Sequence, residues 1–532
     1  MTRRPPKKNE KSGRGPCLQS NLEGTRTMAI QITELTELRP MRHARANLKK
    51  MTKKTRKNGV KRKSNGHDSI IRDGQTPYQV RNISNVLSYG VNITLFPPHL
   101  ELVPQLNEVY ELELAFYESK ILSDEEIIRN GAYFARVGNT LTRHFLICSG
   151  EPVRLPQHSS SRLRSFFQTN QFKTGYATHG LFPYRGKFHP QMIKGLINAM
   201  GLKPGDTVLD PMMGSGTLLI EARLMGIKSI GIDASPFCRF MAQVKLDALT
   251  VPLTPVREAL KNSRAVYEHF VKLAGQPNRG SKKRFEGYSG DFFSIRDSSA
   301  EYPLKPSNRG NLPAGSEIPE VYNFFLLAYL DSAGYSERSD RKSPYDQFHA
   351  ILERYLFVAE KIQSVLAGTE SELAESKALE GDSRRLSLRD SSVDGIIFSP
   401  PYSFAIDYLE NDSFHLGFLG IDIDKLREEM IGLRGRTLRQ KFELYKTDME
   451  RVISECARLL RPGRICCIVV GTNNNQLSKI LEVSPDEVKG IDELLVELGK
   501  PHGLHLIRKL SRQITGMANT MRTEFIVMLQ RR

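Results

Sequence analysis

The sequence predicts an α/β protein built on a mostly parallel sheet. Three observations lead there. A short apolar strand, Thr207–Leu209, runs into the glycine-bearing loop Asp210-Pro211-Met212-Met213-Gly214-Ser215-Gly216-Thr217. Strand and helix patterns alternate after it, and a second apolar strand, Gly395–Phe398, ends on Ser399-Pro400-Pro401-Tyr402. With 532 residues, 39% of them hydrophobic, the chain can bury a large core and has material for two or three domains.

Residues 1–75 read as a basic, disordered tail. Residues 1–70 hold 19 Lys and Arg against 5 Asp and Glu, so most of the net charge of +18 sits there. Arg42 to Lys63 carries eleven basic residues and no acidic one, a composition that cannot pack. The tail either lies along phosphates, where binding is salt-sensitive, or is a solvated extension.

Residues 76–174 form a mixed region with no chemistry assigned to it, strand-like over Val91–Phe96 and helical from Glu108 to Leu122. It is either a small N-terminal domain or an elaboration packed on the core. The polar stretch from Pro156 to Thr174 reads as a loop.

The catalytic unit is expected over 175–250 and 380–532. An amphipathic helix spans Gln191–Met200, Pro204-Gly205 turn the chain, and the strand Thr207–Leu209 leads to the glycine loop. A helix over Leu218–Met225 stops at Gly226, where a glycine accepts the left-handed conformation of a helix end. A second strand, Ser229–Ile232, ends on Asp233, and Ser235-Pro236 pair an N-cap with a proline at the first helical position. Residues 251–379 interrupt this pattern, with helical stretches at Val321–Leu330 and Tyr345–Leu366. Over 251–380 there are 17 basic and 18 acidic residues, so position, and not charge, makes this insert the candidate target-recognition region; the alternative is a structural elaboration. The pattern resumes with Gly395–Phe398, a helix over Gln440–Leu460, a strand over Ile465–Val470, and two last strands, Leu504–Leu510 and Thr523–Leu529, suited to an antiparallel pair.

The two loops carry the chemistry. Gly214 and Gly216, between a strand and a helix, let the backbone approach a ligand and leave N–H groups at a helix N-terminus, a place for a carboxylate. Asp233, 23 residues after Asp210, stands where an acid accepts hydrogen bonds from two ribose hydroxyls. A dehydrogenase meets that requirement too, whereas a Walker-type phosphate loop is excluded, because no lysine follows the glycines. At Ser399-Pro400-Pro401-Tyr402 the prolines remove two N–H donors and leave carbonyl oxygens to accept from an amino group. Ser399 adds a hydroxyl, and Tyr402 a flat face for a base taken out of its helix.

Together these motifs resemble the amino-methyltransferases that act on DNA bases. The resemblance covers residues 175–250 and 380–530 and implies a Rossmann-like class I methyltransferase fold with S-adenosyl-L-methionine as cofactor and double-stranded DNA as substrate. Asp210, Pro211, Gly214, Gly216 and Thr217 match the family's cofactor loop, and Ser399, Pro400, Pro401 and Tyr402 its catalytic loop. The stretch His179–Pro190, with Lys187 and Phe188, is similar to the segment that wraps the methionine end of the cofactor. Gly381-Asp382 is similar to the acidic turn near the adenine, for which Asp291 is the rival. Asp407-Tyr408 and Leu416–Gly420 continue the likeness. His179 and His189 are expected in packing or solvent-facing roles.

A serine at the first catalytic position goes mostly with cytosine N4 and an aspartate or asparagine mostly with adenine N6, so the resemblance implies a DNA cytosine-N4 methyltransferase, the modification half of a restriction system with a cognate endonuclease. The order of the two loops departs from many cytosine-N4 enzymes. Transfer-RNA guanine-N2 methyltransferases, which share the glycine loop and a Pro-Pro-Tyr, and adenine-N6 enzymes are the alternatives.

Six scattered cysteines with no paired spacing argue for neither a zinc site nor a disulfide framework. No apolar run reaches the roughly 20 residues of a membrane span, and no apolar block follows the charged N-terminus, so a cytoplasmic protein is expected.

Overall fold

The computed structural model describes residues 95–103, 106, 108–148, 175–184, 186–275, 312–336, 343–369, 372–401, 407–471, 474–485, 487–513 and 523–532. The chain divides into units at Met1–Thr76 and Pro77–Arg532, and the fold below is that of the second. The expected basic tail, Tyr402 and Asp291 lie outside the described residues, as does most of the strand-like stretch Val91–Phe96.

In chain order, the small strands β1 (Leu100–Leu102), β2 (Phe134–Val137) and β3 (Thr140–Leu141) form one antiparallel sheet, with helix α1 (Val109–Ile121) between the first two. Helix α2 (Pro190–Ala199) precedes β4 (Thr207–Asp210), α3 (Thr217–Leu224), β5 (Lys228–Asp233) and α4 (Pro236–Asp247). Then come α5 (Pro319–Ser336), α6 (Pro344–Ala367), β6 (Ser376–Glu380) and β7 (Val393–Phe398). Helices α7 (Tyr408–Phe418) and α8 (Leu438–Leu459), β8 (Leu460–Gly471) and the hairpin of β9 (Leu504–Gln513) and β10 (Thr523–Arg531) complete the unit.

The large sheet has seven strands in the order β6-β5-β4-β7-β8-β10-β9. Strands β6, β5, β4, β7 and β8 are mutually parallel, while β10 runs antiparallel to both β8 and β9. The last two strands are thus antiparallel as expected, and the later one lies inside the earlier. From β4 the chain winds outward to β5 and β6. It then returns to the other side of β4 as β7, pairing Leu209 with Ile396. This reversal opens a crevice beyond the strand ends, where doubly wound sheets hold their ligands.

Local chemistry sets the helix starts. Ser235 accepts the N–H of Cys238 and Pro236 fills the first position of α4; Thr437 and Gln440 form a reciprocal capping box at the start of α8.

Residues 95–148 are an elaboration of the core. Leu114, Tyr133 and Phe134 share one apolar cluster with Met192 of α2 and Leu218 of α3. The fully buried Glu118 accepts the N–H groups of Ala132 at 2.9 Å and Tyr133 at 3.1 Å and the Asn198 amide at 2.7 Å, which stitches α1 to α2.

The segment expected to be the insert is itself largely core. Val321, Phe324 and Phe325 of α5 and Leu352 and Tyr355 of α6 pack with Phe237, Phe240 and Met241 of α4 and with Leu409 and Leu416 of α7. Its last four residues, with Glu380, belong to the sheet as β6, which pairs Asp233 with Glu380. Of the cysteines, Cys238, Cys456, Cys466 and Cys467 are buried and free. Among the described residues no helix is long and apolar enough to cross a membrane, and no cluster of His, Cys, Asp or Glu is arranged to hold a metal.

Candidate active site

Beyond the carboxyl ends of β4, β5 and β7 lies an open cleft with a largely apolar lining and a few polar groups, the usual make-up of a small-molecule site. It brings together residues the sequence holds far apart. Gly214 and Thr217 of the glycine loop, Asp233, Lys187 with Phe188, and Ser399, Pro400 and Pro401 all line it.

The glycine loop has a backbone that demands glycine. Gly214 has φ of +49° and Gly216 of +74°, both left-handed. A Cβ at Gly216 would also stand 2.8 Å from the Cβ of Ala242 on α4. Gly216 caps α3 without a side chain, so the first turn of that helix opens toward the cleft.

Asp233 is held by the loop it faces. Its Oδ2 accepts the N–H of Gly214 at 2.8 Å and its Oδ1 that of Ser235 at 2.9 Å. Burial raises its pKa above the usual carboxylate value, and the two backbone donors oppose that rise. Each oxygen keeps a further lone pair for a ligand hydroxyl.

Asp210 does not line the cleft. It is fully buried; one oxygen accepts the N–H of Met212 at 3.0 Å and the other has no hydrogen-bond partner among the described residues. Burial pushes its pKa well up. Pro211 is likewise outside the lining, and its carbonyl accepts the hydroxyl of Ser383, which does line the cleft. Asp382 itself is half exposed and paired with Arg384 at 2.8 Å.

Lys187 donates to the carbonyl of His179 at 3.0 Å, and burial lowers its pKa to about 8. His179 lies inside, 2.7 Å from Glu221, whose carboxylate also accepts from Tyr176; His189 accepts the N–H of Met192 at the start of α2. His179 is a packing residue and His189 caps a helix.

Tyr408, named in the family likeness, lines the cleft, as do residues that sequence reasoning passed over: Tyr184, Ser383, Asp412, Met430 and Ile431. Tyr184 was within reach, inside the stretch His179–Pro190. Asp412 and Ile431 carried no signal, since only the folding of α7 and of the loop after it brings them to the strand ends.

A seven-stranded sheet of this order, with one reversed strand and a glycine loop after its central strand, defines a Rossmann-like methyltransferase fold. Residues 46–243 match the family model described as DNA methylase, a span that includes the glycine loop and Asp233. The chain is 33% identical over 153 residues to the type II methyltransferase M.MjaII of Methanocaldococcus jannaschii, covering 28% of this chain and 27% of that protein. It is 25% identical over 289 residues to the type II methyltransferase M.BsoBI of Geobacillus stearothermophilus, covering 48% and 56%. The chain thus spans little more than half of either relative at most. A shorter match, 44% over 52 residues and 16% of its length, is to a tRNA (guanine(10)-N2)-dimethyltransferase of Methanothermobacter thermautotrophicus. Among solved structures, a SAM-dependent methyltransferase from Methanosarcina mazei is 12% identical and covers 62% of this chain and 94% of its own, with a TM-score of 0.26. The chain is thus similar to the amino-methyltransferases of the DNA methylase family.

The cofactor of that family, S-adenosyl-L-methionine, fits the donor set. The cleft offers apolar walls from Met212, Met213 and Ile431, an acid at a strand end, a helix start and a lysine, which suit a nucleoside joined to an amino acid.

Proposed function

We propose that the protein transfers a methyl group from S-adenosyl-L-methionine to an exocyclic amino nitrogen in double-stranded DNA, and to cytosine N4 in particular, as the modification partner of a restriction endonuclease. The observation that carries this reading is that Ser399, Pro400 and Pro401 line the same cleft as Gly214 and Asp233. Serine at position 399 and the resemblance it belongs to support N4 over adenine N6; the two type II methyltransferase relatives support DNA and a restriction partner.

In this reading Asp233 holds the ribose hydroxyls, Gly214 and Thr217 face the cofactor, Gly216 shapes the loop that carries them, and Lys187 and Phe188 close over its amino-acid end. Asp210, Pro211 and Asp382 act indirectly, by fixing the loops that reach the cleft. When bound, the cofactor supplies an electrophilic methyl on a sulfonium. The Ser399 hydroxyl and the Pro400 carbonyl accept the two amino hydrogens, which turns the nitrogen lone pair out of conjugation with the ring. Pro400 and Pro401 have no N–H to compete for those acceptors. Tyr402, by its place in the sequence, stacks the extruded base. As the new N–C bond forms and the C–S bond breaks, the nitrogen becomes acidic and loses its proton to solvent, so no strong base is needed.

Incubation with tritiated cofactor, on duplex DNA and on bulk transfer RNA, tests the substrate. Label in DNA alone is expected, with N4-methylcytosine after digestion to nucleosides. Label in RNA alone overturns the DNA reading, and N6-methyladenine overturns the base.

A further inference from the structure

Resting on the DNA reading above, we propose that residues 434–441 form a basic ledge at the mouth of the cleft that grips the phosphates of duplex DNA beside the extruded base. From Met430 to Phe442 the chain carries Arg434, Arg436, Arg439 and Lys441 and no acidic residue. Its first two residues, Met430 and Ile431, line the cleft together with Ser399 and Pro401.

The base of the ledge is pinned. Asp448 of α8, buried, pairs with Arg434 and, at 3.2 Å, with Arg384; Arg384 also donates to the carbonyl of Glu429 at 2.9 Å. These two cations are neutralised and structural. Arg436 and Arg439 differ. Both are exposed, Arg436 forms no ion pair among the described residues, and the carboxylate paired with Arg439, that of Glu482, is 3.9 Å away with both side chains over 70% exposed. Such a pair is worth little.

Their position is also costly for the fold. Arg436 immediately precedes the Thr437 cap of α8, and Arg439 and Lys441 fall in its first turns, where the helix dipole disfavours positive charge; the first turn has no acid to offset them. A ligand anion at this spot removes that penalty, and a guanidinium fork matches phosphate oxygens bidentately.

The distances fit. Ile431 and Arg436 are five positions apart, at most about 18 Å of chain, and the left-handed Gly432 and Gly435 shorten the path. A base seated against Ser399 remains joined to its sugar and phosphates, so the strand must cross the mouth of the cleft. The α7 rim carries Asp412 and the exposed Glu410, which repel it toward the ledge.

Fluorescence-anisotropy titrations of the full chain with a mixed-sequence duplex over a series of salt concentrations test this. Each lost phosphate contact lowers the slope of log affinity against log salt by about 0.9. Arg436→Ala and Arg439→Ala are expected to lower it by about one each and the double variant by about two, with cofactor affinity unchanged and the surface control Lys261→Ala matching wild type. Slopes that superimpose on wild type, or an equal fall in the control, overturn the ledge. A loss seen with transfer RNA and not with duplex DNA overturns its assignment to DNA. Wild-type protein that transfers no methyl group to DNA refutes the underlying reading of function, whereas transfer with unaltered slopes refutes the ledge alone.

Discussion

The carboxylate of Asp233 accepts the backbone N–H of Gly214 at 2.8 Å, tying the end of β5 to the loop that follows β4. The acid and the loop it faces are therefore one unit. Replacing Asp233 with alanine removes the proposed ribose acceptor and also frees the loop. Hydrogen bonds to a charged group contribute about 1.5–3 kcal/mol, so affinity for S-adenosylmethionine is expected to fall by about 10- to 100-fold by calorimetry. Unchanged affinity would remove Asp233 from the site.

Gly216→Ala combines a left-handed φ of +74° with a new Cβ 2.8 Å from that of Ala242. The variant is expected to lose about 1–3 kcal/mol of stability, read as a lower midpoint in denaturant. Gly138, also left-handed but with nothing near its missing Cβ, should show the strain alone and so a smaller loss.

Ser399→Ala keeps the backbone of the catalytic loop and removes one amino acceptor. A fall in kcat of about 10- to 1,000-fold with a smaller change in cofactor affinity is the expected result, in line with losing a single oriented polar group at a reacting centre. Single-turnover rates at saturating cofactor measure it, and a kcat equal to wild type would rule out a role for the hydroxyl.

Burial raises the pKa of Glu118 from 4.5 to about 7. The folded state thus holds this proton more tightly than the unfolded one. The associated stability is complete below about pH 4.5 and is lost as pH rises toward and through 7, by roughly 3 kcal/mol. Denaturation at a series of pH values should show that loss in wild type. In Glu118→Gln the slope between pH 5 and 7 should flatten; an identical slope would mean the carboxyl titrates normally.

Tyr355 of α6 braces the wall that carries Lys187. Its hydroxyl accepts the N–H of Phe182, a residue with φ of +51°, at 2.8 Å and donates to Asp331 at 3.2 Å. Tyr355→Phe leaves a buried N–H unpaired, at a cost of about 1–3 kcal/mol. The variant should bind S-adenosylmethionine several-fold more weakly at a temperature where it remains fully folded by circular dichroism, and affinity equal to wild type would limit Tyr355 to a packing role.

What the sequence determined by itself was local. The strand before Asp210, the helix after Gly216, the Ser235-Pro236 cap and the apolar strand before Ser399 follow from turn chemistry and short-range periodicity, and the structure has each of them. The pairing of the cofactor loop with the serine-proline loop was legible too, through their family resemblance. Other features depended on the three-dimensional path of the chain. The strand Ser376–Glu380 was hidden at the end of the expected insert because five residues, two of them charged, show little periodicity until β5 covers one edge. Asp412 and Ile431 reach the cleft only because α7 and the following loop fold back over the strand ends. Even Asp210, plain in the motif, was decided by tertiary structure: complete burial turns its carboxylate from the ligand toward the backbone of its own loop. Local propensity acts over a few residues, whereas burial and charge pairing depend on groups hundreds of positions apart.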